Sequence, residues 1–275
     1  MVVFAPELIA VDIGNSRLKL GRFASADADA ARLPVPTETV HLPVAYASGE
    51  FDTDSLAQWC NQHVGDPAQW LVASVHRGAA EKLAAAIREL SEEMGRRWVL
   101  RQLTYRDMPL EIRVDAPERV GIDRLLAAAA ANRLRRSDRA AIVVEVGTAI
   151  TVDLLQPDGA FAGGAILPGL TMSARALKEQ TDALPHVMVE TLQQPPEALG
   201  MNTAAAIESG LFWGAVGAIR ELIERLSDEQ ESSPDVVISG GGSKLIADTL
   251  NCSGVGRVCH QKHLVLSGIA VVGSC

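Results

Sequence analysis

One pattern occurs twice in this chain: an acid, any residue, a glycine and a small hydroxyl or amide residue, set between two apolar runs. The first copy reads Val11-Asp12-Ile13-Gly14-Asn15-Ser16-Arg17-Leu18-Lys19-Leu20. The second reads Val144-Glu145-Val146-Gly147-Thr148-Ala149-Ile150-Thr151-Val152-Asp153. A tight polar turn between two apolar-alternating runs predicts a β-hairpin. Two hairpins with an acid at the same strand end predict a chain built from two related halves.

The segments around the hairpins alternate strand and helix. A short helix is expected over 54–63 with Asp54 as its N-cap, then a strand over 70–75, a helix over 79–95 and a strand over 97–103. Residues 24–54, rich in Ala, Asp, Pro and Thr, are expected to form short edge strands and loops. The pattern restarts near Pro117 with an alanine-rich helix over 122–134 and a doubly buried strand over 140–146. The return strand 150–155, helices over 171–178 and 204–226, a strand over 235–239 and a last helix over 264–272 follow. This alternation is that of an α/β protein. The 275 residues suffice for one large or two modest domains. The restart places the expected division between lobes of residues 1–118 and 119–275.

The turn of the first hairpin suits a polyphosphate. Gly14 lets phosphate approach the backbone, Asn15 and Ser16 add donors, and Lys19 supplies a point positive charge. Asp12 at the strand end can hold Mg²⁺ through water, because Mg²⁺ prefers oxygen ligands and keeps much of its hydration. In the second copy Thr148 can donate to a phosphate and Glu145 can ligate a cation, while Asp153 reads as a solvent-facing or paired strand residue. Gly163-Gly164-Ala165-Ile166-Leu167-Pro168-Gly169 reads either as a ligand-approach segment or as a bulged strand and turn. Ser239-Gly240-Gly241-Gly242-Ser243-Lys244 lacks the spacing of a Walker loop and better suits an adenine or ribose laid on bare backbone. Gly121-Ile122-Asp123-Arg124 opens a helix. Asp123 there is either a general base or an acid favoured by the helix dipole, and Arg124 can grip a carboxylate in a bidentate fork.

Several classes are disfavoured. A formal charge of −9 opposes general nucleic-acid binding. No run of eighteen apolar residues predicts a membrane span, and the first residues lack the basic segment and cleavage site of a leader. Cys60, Cys252, Cys259 and Cys275 form no CxxC pair, which fits free thiols in a reducing cytoplasm. The histidines, His260 and His263 included, read as surface residues.

In combination and in order, DIGNSRLK, GIDR, EVGTAITVD, GGAILPG, the Gly200-Met201-Asn202-Thr203 segment and SGGG resemble the type III pantothenate kinases, from about residue 8 onward. The resemblance implies the actin-like ATPase and sugar-kinase fold: two related ribonuclease-H-like α/β lobes with a nucleotide cleft between them. It implies ATP-dependent phosphorylation of pantothenate in the first step of coenzyme A synthesis, by a cytoplasmic homodimer. It assigns ATP binding to Asp12, Ile13, Gly14, Asn15, Ser16, Arg17, Leu18, Lys19 and Thr148, and pantothenate binding to Gly121, Ile122, Asp123 and Arg124. Asp123 is the implied base, Thr203 the contact from the neighbouring subunit, and Glu145 the position of a potassium or ammonium ion. Two positions depart from the family pattern. Glu145 replaces an aspartate, which lengthens the cation ligand by one methylene, and Val114 stands where a tyrosine is usual. Rival readings are another small-molecule kinase or phosphatase of the same fold and a non-catalytic regulator that retains it.

Overall fold

The computed structural model describes residues 7–24, 32–252 and 258–274. The leader reading of residues 1–6, part of the 24–54 loop reading and Cys275 lie outside the described residues. In chain order the strands are β1 (Glu7–Ile13), β2 (Arg17–Phe23), β3 (Glu38–Pro43), β4 (Ala68–Ser74), β5 (Trp98–Gln102), β6 (Ala141–Val146), β7 (Ala149–Leu155), β8 (Phe161–Pro168), β9 (Asp235–Gly240) and β10 (Val258–His260). The helices are α1 (Thr53–His63), α2 (Arg77–Glu93), α3 (Ile122–Asn132), α4 (Leu170–Glu179), α5 (Thr203–Asp228), α6 (Ser243–Cys252) and α7 (Leu264–Gly273).

The chain forms two compact units. The first holds a five-stranded sheet in the order β3-β2-β1-β4-β5. Its hairpin strands β1 and β2 are antiparallel, while β1, β4 and β5 run parallel. Period-two alternation sorts the side chains by face. Ile9, Val11, Ile13, Leu18, Leu20, Leu42, Trp70 and Val72 join Leu56, Trp59, Leu83 and Ile87 of α1 and α2 in one core. Each fully buried aliphatic side chain of this kind contributes about 1.5–3 kcal/mol relative to exposure. Cys60 lies in the same core, and burial pushes its thiol up to about 12. The cap of α1 is Asp52 rather than the expected Asp54. Asp52 Oδ1 accepts from the backbone N–H of Asp54 and Ser55 at 3.0 and 3.1 Å, which places Asp54 already inside the first turn.

The other face of this sheet carries α7, which packs on β1, β2 and β4 and against α3. The alanine run of α3 keeps its surface low, and Gly268 lets α7 come close: a Cβ there would fall 2.1 Å from the Leu126 carbonyl oxygen. The first unit is therefore built from residues up to Glu111, Asp115–Leu134 and the stretch from His263 onward. The sequence-based division at 118/119 put α3 and α7 in the second lobe. Their apolar faces are instead spent on the first sheet, a long-range pairing that no local pattern encodes.

The second unit takes residues 112–114 and 135–262, with a sheet in the order β10-β9-β6-β7-β8. Its core joins Ile142, Val144, Ile150 and Val152 with Phe212, Val216, Ile219 and Ile223 of α5. The order of pairing repeats that of the first unit: an antiparallel hairpin flanked by a third antiparallel strand on one side and parallel strands on the other. No helix among the described residues is long and apolar enough to cross a membrane.

Candidate functional site

The first hairpin closes tightly. The Gly14 N–H donates to the Arg17 carbonyl at 2.9 Å, and the turn is tethered by Val44 N–H to the Ser16 carbonyl and Val75 N–H to the Ile13 carbonyl. Asn15, Ser16 and Arg17 are exposed, whereas Ile13 and Leu18 are fully buried in the core, so only their main chain is left to face a ligand. Asp12 and Lys19 are register partners across β1 and β2, so both stand on the α7 side of the sheet. Lys19 Nζ donates to Asp12 Oδ2 at 3.0 Å. The Asp12 side chain is 7 % exposed and that of Lys19 32 %, so solvent reaches the lysine more than the carboxylate.

The GIDR segment arrives at the same place within the first unit. Gly121 is the N-cap of α3 and supplies no side-chain bond. A Cβ at Gly121 would lie 2.5 Å from Asp123 Oδ1, so the glycine makes room for this carboxylate. Asp123 is not the cap; its Oδ1 accepts from the Arg124 backbone N–H at 2.9 Å. Its pKa is raised above the ordinary carboxylate value, first by burial and then by the negative charge of Asp12. The Arg124 N–H, the Arg124 charge and Lys19 oppose the rise. Asp12, Lys19, Asp123 and Arg124, from two segments far apart in sequence, thus share one electrostatic environment. A carboxyl with raised basicity beside a cation and an exposed donor turn is an arrangement that can accept a proton near a bound anion.

In the second unit, Glu145 of β6 faces Thr151 of β7 on one side and Ser239 of β9 on the other. Glu145 Oε1 is shielded from solvent, and Thr151 Oγ1 is buried without a hydrogen-bond partner. Asp153, two residues further along the same face, is 1 % exposed rather than solvent-facing. The result is an oxygen-rich strip inside the unit, suited to a cation. Among the described residues there is no group of three or more His, Cys, Asp or Glu side chains that would hold a metal unaided.

Thr148 is exposed at the β6–β7 turn, with its carbonyl accepting from the Gly169 N–H at 3.0 Å. Thr203 is exposed at the first position of α5, behind the Asn202 cap. Residues 163–168 are the later part of β8, which pairs with β7 through a register shift, and Gly169 is the N-cap of α4, the bulged strand and turn of that motif's second reading. The glycines after β9 lead into α6, where the Ser243 hydroxyl donates to the Gly240 carbonyl and meets His260 Nε2 at 3.0 Å. His260 and His263 are both partly exposed.

Sequence reasoning missed Thr151 and Ser239 as neighbours of Glu145. Thr151 was within reach: closing the hairpin at Gly147 and Thr148 pairs Val146 with Ile150 and hence Glu145 with Thr151. Ser239 was not, because its pairing depends on a parallel strand some ninety positions away, between residues 145 and 239.

The family model for type III pantothenate kinases matches residues 8–225. The chain is 34 % identical to a type III pantothenate kinase of Rhodopirellula baltica, over 95 % of this chain and 96 % of that one. It is 32 % identical to a type III pantothenate kinase of Dehalococcoides mccartyi, with 88 % and 89 % covered. Among solved structures it resembles a protein from Sinorhizobium meliloti described as a 2-dehydro-3-deoxygalactonokinase. The TM-score is 0.56 at 15 % identity, covering 97 % of this chain and 95 % of that one, a likeness of fold alone.

Proposed function

The chain belongs to the type III pantothenate kinase family, with the actin-like ATPase and sugar-kinase fold, and on that premise we propose how its residues carry the reaction. The activity is transfer of the γ-phosphoryl group of ATP to the primary hydroxyl of pantothenate, giving 4′-phosphopantothenate and ADP, the first step of coenzyme A synthesis. The observation that carries the residue assignment is Asp123, set beside Asp12 and Lys19 with its basicity raised. As the pantothenate oxygen bonds to the γ-phosphorus, the bond from that phosphorus to the β–γ bridging oxygen breaks. The hydroxyl proton passes to the Asp123 carboxylate. Phosphoryl transfer asks mainly for positioning and neutralised charge, and the other residues serve that need.

The turn at Gly14, Asn15 and Ser16 cradles phosphate oxygens, with the main chain of Ile13 and Leu18 and the Arg17 side chain around it. Lys19 supplies a fixed positive charge, and Thr148 donates its hydroxyl to a phosphate oxygen. Arg124 grips the pantothenate carboxylate, while Gly121 and Ile122 shape the backbone beneath it. Asp12 fits a magnesium ion held through water, since a single buried carboxylate suits an ion that keeps much of its hydration. Magnesium bound there would neutralise charge on the phosphates. The Glu145 strip, with the buried Thr151 hydroxyl opposite, fits a monovalent cation such as potassium or ammonium. Homodimer assembly is in keeping with exposed apolar side chains such as Leu199 and Met201, which stand in the segment just before Thr203.

Retention of Asp12, Lys19, Asp123 and Thr148 favours a working kinase over a regulator that merely keeps the fold. The test is incubation with ATP, Mg²⁺ and pantothenate, with 4′-phosphopantothenate followed by mass spectrometry. Phosphorylation of a different small alcohol in its place, or no transfer at all, would overturn the reading.

A further inference from the structure

The pair formed by Asp12 and Lys19 continues across one more strand. In the β1–β2–β3 register Lys19 faces Asp12 on one side and His41 on the other, so the three side chains form a row on the same face of the sheet. Gly21, two residues beyond Lys19 on that face, lies against Leu266 of α7. The residue just before α7 is His263, whose ring meets that of His41 edge to face, with centroids 6.0 Å apart. His263 has φ 57° and ψ 31°, a left-handed conformation found at no other non-glycine residue among those described. Left-handed backbone is unfavourable for a residue with a side chain, and where it occurs it tends to mark a functional position.

His41 is exposed, stands on the edge strand and takes no part in the core. Its ring leans on that of His263, which shields part of it from solvent. The charges that bear on it are Lys19 and Arg17 from β2, His263 at the start of α7 and Asp12 from β1, three basic groups against one acid. We propose that His41 is a further phosphate-binding residue of the kinase, which as an imidazolium holds the polyphosphate of ATP together with Lys19, its ring oriented by His263. This rests on the reading that ATP sits on the 12–19 hairpin.

The chemistry follows from the neighbours. Burial first, and then Lys19, His263 and Arg17, lower the pKa of His41 in the free protein, with Asp12 opposing. It is therefore mostly neutral at physiological pH. A polyphosphate arriving beside Lys19 offsets the surrounding positive charge and favours the protonated ring. By linkage, nucleotide binding then draws a proton from solution, and it strengthens as pH falls toward the histidine range.

The experiment is calorimetric titration of the full chain with a non-hydrolysable ATP analogue and Mg²⁺ at pH 6.5, in buffers of different ionisation enthalpy. Net proton uptake is expected for the native protein. His41→Asn should remove the uptake and weaken binding about fivefold at pH 6.5, as for an exposed charge pair, with the two proteins converging at pH 8.5. His41→Arg, charged at every pH, should restore affinity without restoring uptake. Uptake that persists in His41→Asn, or affinity that is the same as native at both pH values, overturns the inference. Lys19→Met separates the two levels of argument. If it leaves nucleotide affinity intact, the hairpin reading fails and His41 falls with it. If it weakens binding while His41→Asn behaves as native, the hairpin stands and only the His41 inference is lost.

Discussion

Asp123→Asn changes a single group that the reaction and the fold value in opposite ways. The substitution keeps size and shape, and the amide oxygen can still accept from the Arg124 N–H at the 2.9 Å now seen for Asp123 Oδ1. It removes basicity. Loss of a positioned general base costs about 10²–10⁴-fold in kcat. At 1.36 kcal/mol per tenfold, that is about 2.7–5.4 kcal/mol of barrier. Nucleotide affinity should hold or improve, because a negative charge beside Asp12 has gone. Stability should move the other way from activity. The folded-state pKa of Asp123 is raised, so as pH climbs from the ordinary carboxylate range through that raised value the unfolded chain loses its proton first. Stability therefore falls across that window and stays lower above it. Asparagine escapes this penalty. The variant should melt at a higher temperature than the native protein at neutral pH, and the advantage should vanish at pH values below the ordinary aspartate range. The assay is steady-state kinetics paired with thermal melts at pH 3.5 and 7.5. Near-native turnover in the folded variant would refute the role as base. A lower melting temperature at pH 7.5 would refute the electrostatic account of the site.

Lys19→Met leaves the buried Asp12 carboxylate without its ammonium. Lys19 is about a third exposed, so solvent screening reduces the cost of the broken pair to about 1–2 kcal/mol, measurable by urea denaturation, and the KM for ATP should rise. With Glu145 reaching further than aspartate, activity compared in potassium, ammonium and sodium buffers of equal ionic strength should discriminate only weakly among the three. Strong selective activation by potassium would show that the longer side chain holds the ion well. Light scattering coupled to size exclusion should report a dimer, and Met201→Glu, at an apolar site 86 % exposed and two residues before Thr203, should shift it toward monomer with loss of pantothenate affinity; a fully active native monomer would remove the partner role of Thr203.

Most of the elements could be read from local pattern. The two hairpins, the strand expected over 70–75 and found as β4 and the helix expected over 79–95 and found as α2 announce themselves through periodicity and turn chemistry. Asp12 and Lys19 could be paired from the turn length alone, because a closed hairpin fixes its own register. What stayed hidden is what depends on parallel pairing or on packing across long separations. Asp52 and Asp54 offer equally good caps by composition, and only the backbone angles choose between them. The association of α7 with α3 turns on a backbone contact between Gly268 and Leu126 that has no signature in either helix. For the same reason the grouping of Asp123 with Asp12 could be expected only from the family resemblance, not from spacing.

The first unit is discontinuous, and this has a consequence for how the protein comes into being. The helix carrying Asp123 is made early, but the helix that covers its flank, α7, lies beyond the whole of the second unit. During synthesis the second unit can complete its own sheet while the first still lacks α7, leaving the alanine surface of α3 and part of the first sheet uncovered. The residues that shape the Asp123 environment thus gain their final support only when residues 264–273 emerge. A truncation that removes this short segment leaves every proposed site residue in the chain, yet withdraws the helix packed against α3.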